Sequence, residues 1–316
     1  MSDRSLNLVD DVKEPRLLTS RSVETVSGLT AGFITTLISH PLDFFKLRLQ
    51  LDTTTKNQVD SFRAIKNKLL EDSRINGKLK QSQLVRNLYR GVGPNVLGST
   101  TAWGLYFSFY REYKNMVFSM YVGGSGDADR SLSSSQYLLC AFAAGWTTSF
   151  FTNPIWVIKT RMISTSRTTP GAYISIVDGF RQIYRHEGIF GFYRGLSPAL
   201  LSVSQGALQF SIYDTVKNHI LTTSSHMSAA QYLCASAVSK MVSTIVFYPL
   251  QVIRSRLQIN RGRYGLVSAA TEVFEREGFF GFYKGLFANL IRVVPATCVT
   301  FAVYENMKWA LRDIYI

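Results

Sequence analysis

Six charge-poor segments alternate with charged connections along this chain of 316 residues. The segments span 26–42, 92–110, 131–158, 195–213, 227–253 and 285–304, and the full charges inside them are Lys240 and Arg292. Their lengths are close to the about 20 residues that a helix needs to cross a bilayer core. Their Gly, Ser and Thr residues are typical of membrane helices that pack closely. The pattern predicts an all-α membrane protein with six transmembrane helices, and its alternative is the buried helices of a soluble α-solenoid.

The basic residues concentrate in the connections after the first, third and fifth segments. These connections hold 23 Lys or Arg and 10 Asp or Glu, and they carry a net +13 of the chain's total of +14. Positively charged loops stay on the inner side of a membrane, so all three connections are expected on that side. An even number of spans then places both termini on the opposite side.

Composition and motif content argue against other classes of protein. The chain is 46% hydrophobic and 18% charged, which is apolar for a soluble protein. A nucleic-acid-binding protein of this charge calls for one basic face and a recognisable motif, and we find neither. Cys140, Cys234 and Cys298 are dispersed, so no metal site or disulfide is expected. Because no phosphate-binding glycine loop or nucleophile–base arrangement is present, we expect no enzyme and no consumed cofactor.

One pattern occurs three times along the chain, which indicates internal repeats. The stretches "PLDFFKLR", "PIWVIKTR" and "PLQVIRSR" begin at Pro41, Pro154 and Pro249, each with cations five and seven residues after its proline. An aromatic–cation–glycine triplet, YRG or YKG, follows each copy. An acid–glycine pair precedes the triplet in repeats two and three, whereas repeat one lacks the pair and carries an insertion. We therefore divide the chain into a tail 1–22, repeat one 23–121, a linker 122–134, repeat two 135–222 and repeat three 223–316.

Each repeat also ends near an aromatic–acid–x–x–cation element, "YDTVK" or "YENMK", of which "YREYK" is a degenerate copy. These three signatures in this order resemble the mitochondrial carrier family over nearly the full chain. The resemblance implies six tilted helices in three pseudo-symmetric repeats, each with a short helix on the matrix side. It also implies a monomeric, multi-pass carrier of the mitochondrial inner membrane that works by alternating access and contacts anionic lipids such as cardiolipin. The charge pattern then places both termini towards the intermembrane space.

In that family the acid two residues after the proline pairs with the cation five residues after the proline of the next repeat. These pairs form a gate on the matrix side. Here Asp43 is the single acid at that position, because Trp156 and Gln251 occupy it in the other repeats. We therefore expect one complete ion pair, Asp43 with Lys159, and a weak gate. The predicted matrix-gate residues are Asp43, Lys46, Trp156, Lys159, Gln251 and Arg254.

The resemblance implies a second gate on the cytosolic side, at the aromatic–acid elements. Two ion pairs are possible there, because Arg111 replaces the acid in repeat one. The alternative for these charges is solvated helix ends, where surface pairs contribute about 0–1 kcal/mol. The predicted cytosolic-gate residues are Lys114, Asp214, Lys217, Glu305 and Lys308.

A cation inside a membrane span is costly and usually faces a cavity or a partner. Lys240 and Arg292 have no acid within the six segments, so we expect an anionic substrate to be their partner. Gly98, Ser202 and Arg292 each lie seven residues after the glycine of the triplet, and Lys240 stands where the other repeats have glycine. Trp103 is expected to hold a planar ring, with lipid contact as the alternative. The predicted substrate site is Gly98, Trp103, Ser202, Lys240 and Arg292.

Several longer motifs bear on the substrate. The stretches "NPIWVIKTR", "SQGALQFSIYD", "SKMV" and "NLIRVVPATCVTFAVYENMK" resemble the flavin and folate carriers of the family. FAD is the substrate that this resemblance favours, and folate, NAD and pyrimidine nucleotides stay open, as does exchange against uniport. A basic membrane scaffold that binds a partner without transport is the hypothesis from a different class. No nucleic-acid partner is expected.

Overall fold

The computed structural model describes residues 20–55, 57–75, 77–121, 132–167, 169–223, 228–260, 262 and 265–315. The predicted tail 1–22 and linker 122–134 lie largely outside these residues, and the repeat boundaries stay predictions. The elements in chain order are α1 (Ser20–Leu51), α2 (Gln58–Glu71), β1 (Arg74–Ile75), β2 (Lys78–Leu79), α3 (Gln81–Leu88), α4 (Val92–Tyr121), α5 (Ser134–Ser164), α6 (Ile176–Glu187), α7 (Leu196–Ser202), α8 (Ser204–Thr223), α9 (Ala229–Ile259), α10 (Leu266–Glu277) and α11 (Leu286–Tyr315).

Six long helical segments dominate the described part of the chain: α1, α4, α5, α7 with α8, α9 and α11. Each contains one of the predicted charge-poor segments in whole or in large part and extends beyond it. The helix α1 continues to Leu51, although its charge-poor segment ends at residue 42, so Asp43 and Lys46 are helical residues. The short strands β1 and β2 form an antiparallel pair inside the insertion of repeat one.

Apolar character alone does not establish six membrane spans. Over the described residues, one helix, Gln231–Ile259 within α9, is long and apolar enough to pass as a membrane span by itself. The helices α1, α5 and α9 also each contain an internal proline, at Pro41, Pro154 and Pro249. Proline lacks the backbone N–H that an interior helix position donates, and it favours a bend at that point.

The glycine of each aromatic–cation–glycine triplet is required by the backbone. Gly91, Gly195 and Gly285 have φ values of 82°, 71° and 81°, in the left-handed region that side chains disfavour. A Cβ on Gly195 would lie 2.9 Å from the Arg254 carbonyl oxygen, and one on Gly285 would lie 2.9 Å from that of Lys46. The triplet of each repeat therefore packs directly on the proline-containing helix of the following repeat, and repeat three packs back on repeat one.

The long helices close into a ring that is tight at one end. The helices α1 and α11, α4 and α5, and α8 and α9 pack as neighbours, and α1, α5 and α9 also contact one another in every pairing. Thr160 of α5 donates to Gln258 of α9 at 2.6 Å, beyond the prolines. Among the described residues, α4, α8 and α11 show no comparable packing with one another. We call the tight end of the bundle the proline end.

Candidate functional site

A polar cavity of about 290 Å³ lies at the proline end, among α1, α5, α7, α8 and α9. Ser202 of α7 and Gln205 of α8 are part of its wall. The six predicted matrix-gate residues also line it: Asp43, Lys46, Trp156, Lys159, Gln251 and Arg254. Among its lining residues three cations face one acid, so the wall carries excess positive charge. The threefold sequence pattern thus brings these side chains together, and their gating role stays a prediction.

Asp43 forms its ion pair with Arg292 and not with Lys159, which corrects two of our predictions. The distance from Asp43 Oδ1 to Arg292 Nε is 3.0 Å. The Arg292 Nε–H does not form a hydrogen bond with Asp43 or with any other described residue, so the contact is an ion pair without a directed hydrogen bond. The prediction treated Asp43 as a loop residue beyond the first segment, whereas α1 continues through it beside α11. Arg292 is therefore a paired cation before any substrate arrives.

Two of the three cations of the cavity wall donate to side-chain amides, and the third has no partner among the described residues. Lys159 donates to Asn95 Oδ1 at 2.7 Å, and Lys46 donates to Gln251 Oε1 at 3.1 Å. The Arg254 side chain has no hydrogen bond or ion pair with any residue that the structure describes. A neutral acceptor holds a cation less strongly than a carboxylate does. The cavity therefore contains cations that an anionic ligand can recruit without first breaking an ion pair.

Trp156 fills a space that glycine leaves open. A Cβ on Gly98 would lie 3.4 Å from the Trp156 ring and 3.2 Å from Ile155, so both side chains pack directly against the glycine. Lys159 Nζ lies 5.0 Å from the centre of the same ring. Ser202 lines the cavity and donates to a backbone carbonyl of its own helix at 2.7 Å. The cavity thus places an aromatic face beside a cation, with Gly98 behind the ring.

Two polar residues of this region were missing from the predicted site. Gln205 lies 3.4 Å from the amide of Gln251 and donates to Thr244 Oγ1 at 3.2 Å. Asn95 accepts from the lysine described above and lies 3.3 Å from a ring nitrogen of the buried His40. Gln205 stood inside the quoted stretch "SQGALQFSIYD", but nothing in its spacing marked it. Asn95 belongs to none of the repeated motifs.

The structure separates Trp103 from the cavity. Trp103 is 63% exposed and lines a groove of about 610 Å³ between α1 and α4, where it stacks on Phe107 at 5.6 Å. This groove shares no lining residue with the polar cavity. The side chain of Lys240, on α9, is exposed and has no hydrogen bond or ion pair with a described residue, and the charge of Arg292 acts on it. Lys240 and Arg292 thus influence each other, whereas Trp103 belongs to another surface.

At the opposite end of the bundle the structure describes the side chains of three predicted cytosolic-gate residues, and their gating role stays a prediction. Lys114 lies over two tyrosine rings, 5.6 Å and 5.9 Å from their centres. Asp214 is exposed and forms no ion pair with a described residue, and Lys217 is half-buried. The side chains of the two remaining members lie outside the described set: Glu305 and Lys308. Over the described residues, α4, α8 and α11 show no close packing with one another.

Comparison with known proteins matches the chain three times to one family. The sequence model described as "Mitochondrial carrier protein" matches residues 20–121, 130–224 and 225–314. The chain is 39% identical to the mitochondrial FAD carrier protein FLX1 of Saccharomyces cerevisiae, over 91% of this chain and 96% of the relative. It is 34% identical to the chloroplastic folate transporter 1 of Arabidopsis thaliana, over 91% and 94%. It is 32% identical to the mitochondrial nicotinamide adenine dinucleotide transporter 2 of the same plant, over 91% and 79%.

Proposed function

This chain belongs to the mitochondrial carrier family, in its flavin and folate branch, and from that premise we propose that it carries FAD across the mitochondrial inner membrane. Members of the family are transporters and not enzymes, so the protein is an all-α membrane carrier and no residue is assigned a catalytic role. FAD is the transported substrate in this proposal, and no cofactor is consumed.

The observation that carries the proposal is the cationic cavity with an aromatic face. Lys159 and Arg254 line it without carboxylate partners, Trp156 offers a ring face, and Lys240 lies within electrostatic reach of Arg292. FAD combines a pyrophosphate with two planar ring systems. Cations bind phosphate oxygens through charge-assisted hydrogen bonds, and indole stacks on planar rings. In this proposal the ring surface is Trp156, and Trp103 loses the role that sequence reasoning gave it.

We propose that the six long helices cross the membrane as three pseudo-symmetric pairs and work by alternating access. The proline end is the matrix end, because the three basic connections follow the proline-containing helices and positive loops stay inside. In this proposal the carrier is closed towards the matrix and open towards the cytosol, with its termini on the cytosolic side. A substrate that binds the cavity cations competes with the amide groups that accept from Lys46 and Lys159 at the proline end.

Folate is a second candidate substrate, supported by the 34% identity to the plant folate transporter over most of both chains. Folate also joins a planar ring to anionic groups, so the same cavity chemistry would serve it. NAD, pyrimidine nucleotides and a non-transporting scaffold are weaker hypotheses. A monomeric state and contact with cardiolipin at the matrix side also belong to this proposal.

Uptake by reconstituted vesicles tests the proposal. Purified protein in liposomes is expected to take up radiolabelled FAD faster than protein-free liposomes and liposomes with heat-inactivated protein. Unlabelled FAD is expected to compete better than folate, NAD or a pyrimidine nucleotide. Preferential competition by folate would transfer the assignment to folate. No uptake of any of these compounds by folded protein would favour the scaffold.

A further inference from the structure

In repeats two and three a buried carboxylate joins two cations where the short helix of the repeat ends. Glu187, the last residue of α6, accepts from Arg161 at 2.5 Å and 2.9 Å and from Arg194 at 2.7 Å. Burial alone would raise the pKa of Glu187, but the hydrogen bonds and charges of the two arginines lower it below its ordinary value. The same three-way contact recurs in repeat three between Glu277, Arg256 and Lys284.

Repeat one has the two cations of this contact but not the carboxylate. Arg48 lies seven residues after Pro41, and Arg90 is the cation of the triplet, so both correspond to the paired cations of the other repeats. The short helix α2 ends at Glu71, which is exposed. The next residue, Asp72, accepts from Ser166 at 2.7 Å and forms no ion pair with a described residue. The charge of Asp72 acts on both Arg48 and Arg90. Among the described residues, however, no carboxylate bridges these two cations as Glu187 and Glu277 bridge those of the other repeats.

Both arginines of repeat one have a side-chain donor that no described residue accepts from. Arg90 is 3% exposed, and it donates to backbone or hydroxyl oxygens of repeat two at 2.5 Å, 2.9 Å and 3.2 Å. Its Nη1 is nevertheless buried without an acceptor among the described residues, and the same holds for Nε of Arg48. Buried donors normally have partners, and a buried charge without one is costly. A negatively charged hydrogen-bond acceptor is therefore expected near these two donors.

A small cavity lies where these donors meet. Its wall contains four cations and one acid, so the net charge of the wall is +3. These residues are Arg48, Lys68, Arg90, Arg167 and Asp72. Burial, followed by the charges of Arg167 and Arg48, lowers the pKa of Arg90 to about 10. The free volume is about 10 Å³, close to the space of one water-sized group. A water molecule would fit this space but would not balance the charge.

We propose that this cavity binds a small inorganic anion of about the size of chloride. The anion takes the place that Glu187 and Glu277 occupy in the other two repeats, and it accepts hydrogen bonds from Arg48 and Arg90. Because Arg90 also donates to repeat two, the bound anion stabilises the contact between repeats one and two. The site lies apart from the polar cavity and shares no lining residue with it.

Thermal unfolding of the purified full chain in detergent tests this site without any transport assay. Chloride replaces gluconate at constant ionic strength, and phosphate is titrated in the same way. The wild-type unfolding temperature is expected to rise and saturate with chloride. In the double variant Lys68→Gln/Arg167→Gln the half-saturating chloride concentration is expected to rise at least about twofold, because two exposed positive charges of the cavity wall are lost. Neither side chain has a hydrogen bond with a described residue, so the fold is expected to persist.

The control variant Arg63→Gln/Arg181→Gln removes two exposed cations from α2 and α6, and its chloride response is expected to match that of the wild type. Asp72→Asn removes the one acid of the cavity and is expected to strengthen anion binding, an effect that loss of structure cannot produce. Phosphate is too large for this free volume and is expected to give no saturating response. Absence of saturation with chloride, an equal chloride response in the cavity and control variants, or a response to cardiolipin alone would overturn the proposal.

Discussion

Two rows of cations follow the three prolines, and the molecule uses them differently. The row five residues after each proline faces the polar cavity, where Lys46 and Lys159 bond to amides at 3.1 Å and 2.7 Å. The row seven residues after points to the connections, where Arg161 and Arg256 contact buried carboxylates at 2.5 Å. Cations only two residues apart on one helix thus make different contacts. The first contacts an amide that a ligand can replace, and the second contacts a buried carboxylate. We infer that the second row fixes the fold and the first is available to a substrate.

The difference has an energetic basis. Removing one partner of a buried ion pair leaves an uncompensated charge and costs about 3–5 kcal/mol. A typical hydrogen bond contributes a net of about 0.5–1.5 kcal/mol. A ligand can therefore replace the contacts of the cavity row with its own interactions, whereas few ligands could replace those of the connection row. This is what a carrier that must open its closed end requires.

The largest expected effect comes from breaking the connection row. Glu187→Gln leaves Arg161, whose side chain is 3% exposed, without its charged partner, so we expect a loss of about 3–5 kcal/mol of stability. Glu272→Gln is the control, because its partner Arg276 is solvent-exposed and such a pair contributes about 0–1 kcal/mol. Thermal unfolding in detergent measures both. Equal losses in the two variants would show that the buried contact is not the stronger one.

The next effect concerns the cavity row and its neighbours. Lys240→Ala removes a cation without a partner among the described residues, so we expect a stable protein with substrate affinity reduced about tenfold to a hundredfold. Arg292→Ala is expected to lower affinity as well, but also to destabilise the protein because Asp43 loses its partner at 3.0 Å. Stabilisation by added FAD and unfolding without FAD separate the two effects.

Asp43→Asn combined with Arg292→Ala serves as the control for this pair. We expect the double variant to regain stability and to remain weak in FAD binding, because the stranded carboxylate is gone while the cation is still absent. Unchanged stabilisation by FAD in both Lys240→Ala and Arg292→Ala would place the substrate elsewhere.

A smaller effect is expected from giving the cavity row a carboxylate. Gln251→Glu keeps the shape of the side chain and converts the 3.1 Å contact with Lys46 into an ion pair. The closed proline end would gain about 0.5–1 kcal/mol, so FAD uptake should slow about twofold to fivefold. Gln81→Glu, at the exposed start of α3, adds the same charge outside the cavity and should leave uptake unchanged. Faster uptake in Gln251→Glu at normal protein abundance would contradict the weak-gate hypothesis.

Repetition in the sequence predicted the parts of this molecule that recur three times. The helical class was predicted correctly, and the six residues expected near the proline end do line one cavity. The errors came from features that occur once. The pairing of Asp43 with Arg292 depends on how far α1 continues, and the groove that holds Trp103 depends on which helix faces pack. The fit of Trp156 against Gly98 joins helices α5 and α4, and no periodicity in one sequence encodes such a contact.

The smallest expected effect is a pH dependence at Asp52, which lies just after α1 and beyond both rows of cations. Its carboxylate accepts from the backbone and hydroxyl of Thr54 and the hydroxyl of Thr55, at 2.9, 2.6 and 2.5 Å, and its carbonyl accepts from Lys284 at 2.8 Å. Burial alone would raise the pKa of Asp52, but these hydrogen bonds lower it to about 2. The ordinary value is about 3.9, so the unfolded chain takes up the proton first as the pH falls.

The stability that Asp52 contributes is therefore complete above about pH 5 and is lost as the pH falls towards about 2. We expect wild type to unfold at a slightly higher temperature than Asp52→Asn near neutral pH, and the difference to narrow between about pH 4 and pH 2. The gap should stay small because the side chain is only half-buried. Unfolding temperatures of both proteins across this pH range provide the measurement. A gap that is constant over the range, or that widens on acidification, would show that the ionised carboxylate does not stabilise the segment that receives Lys284.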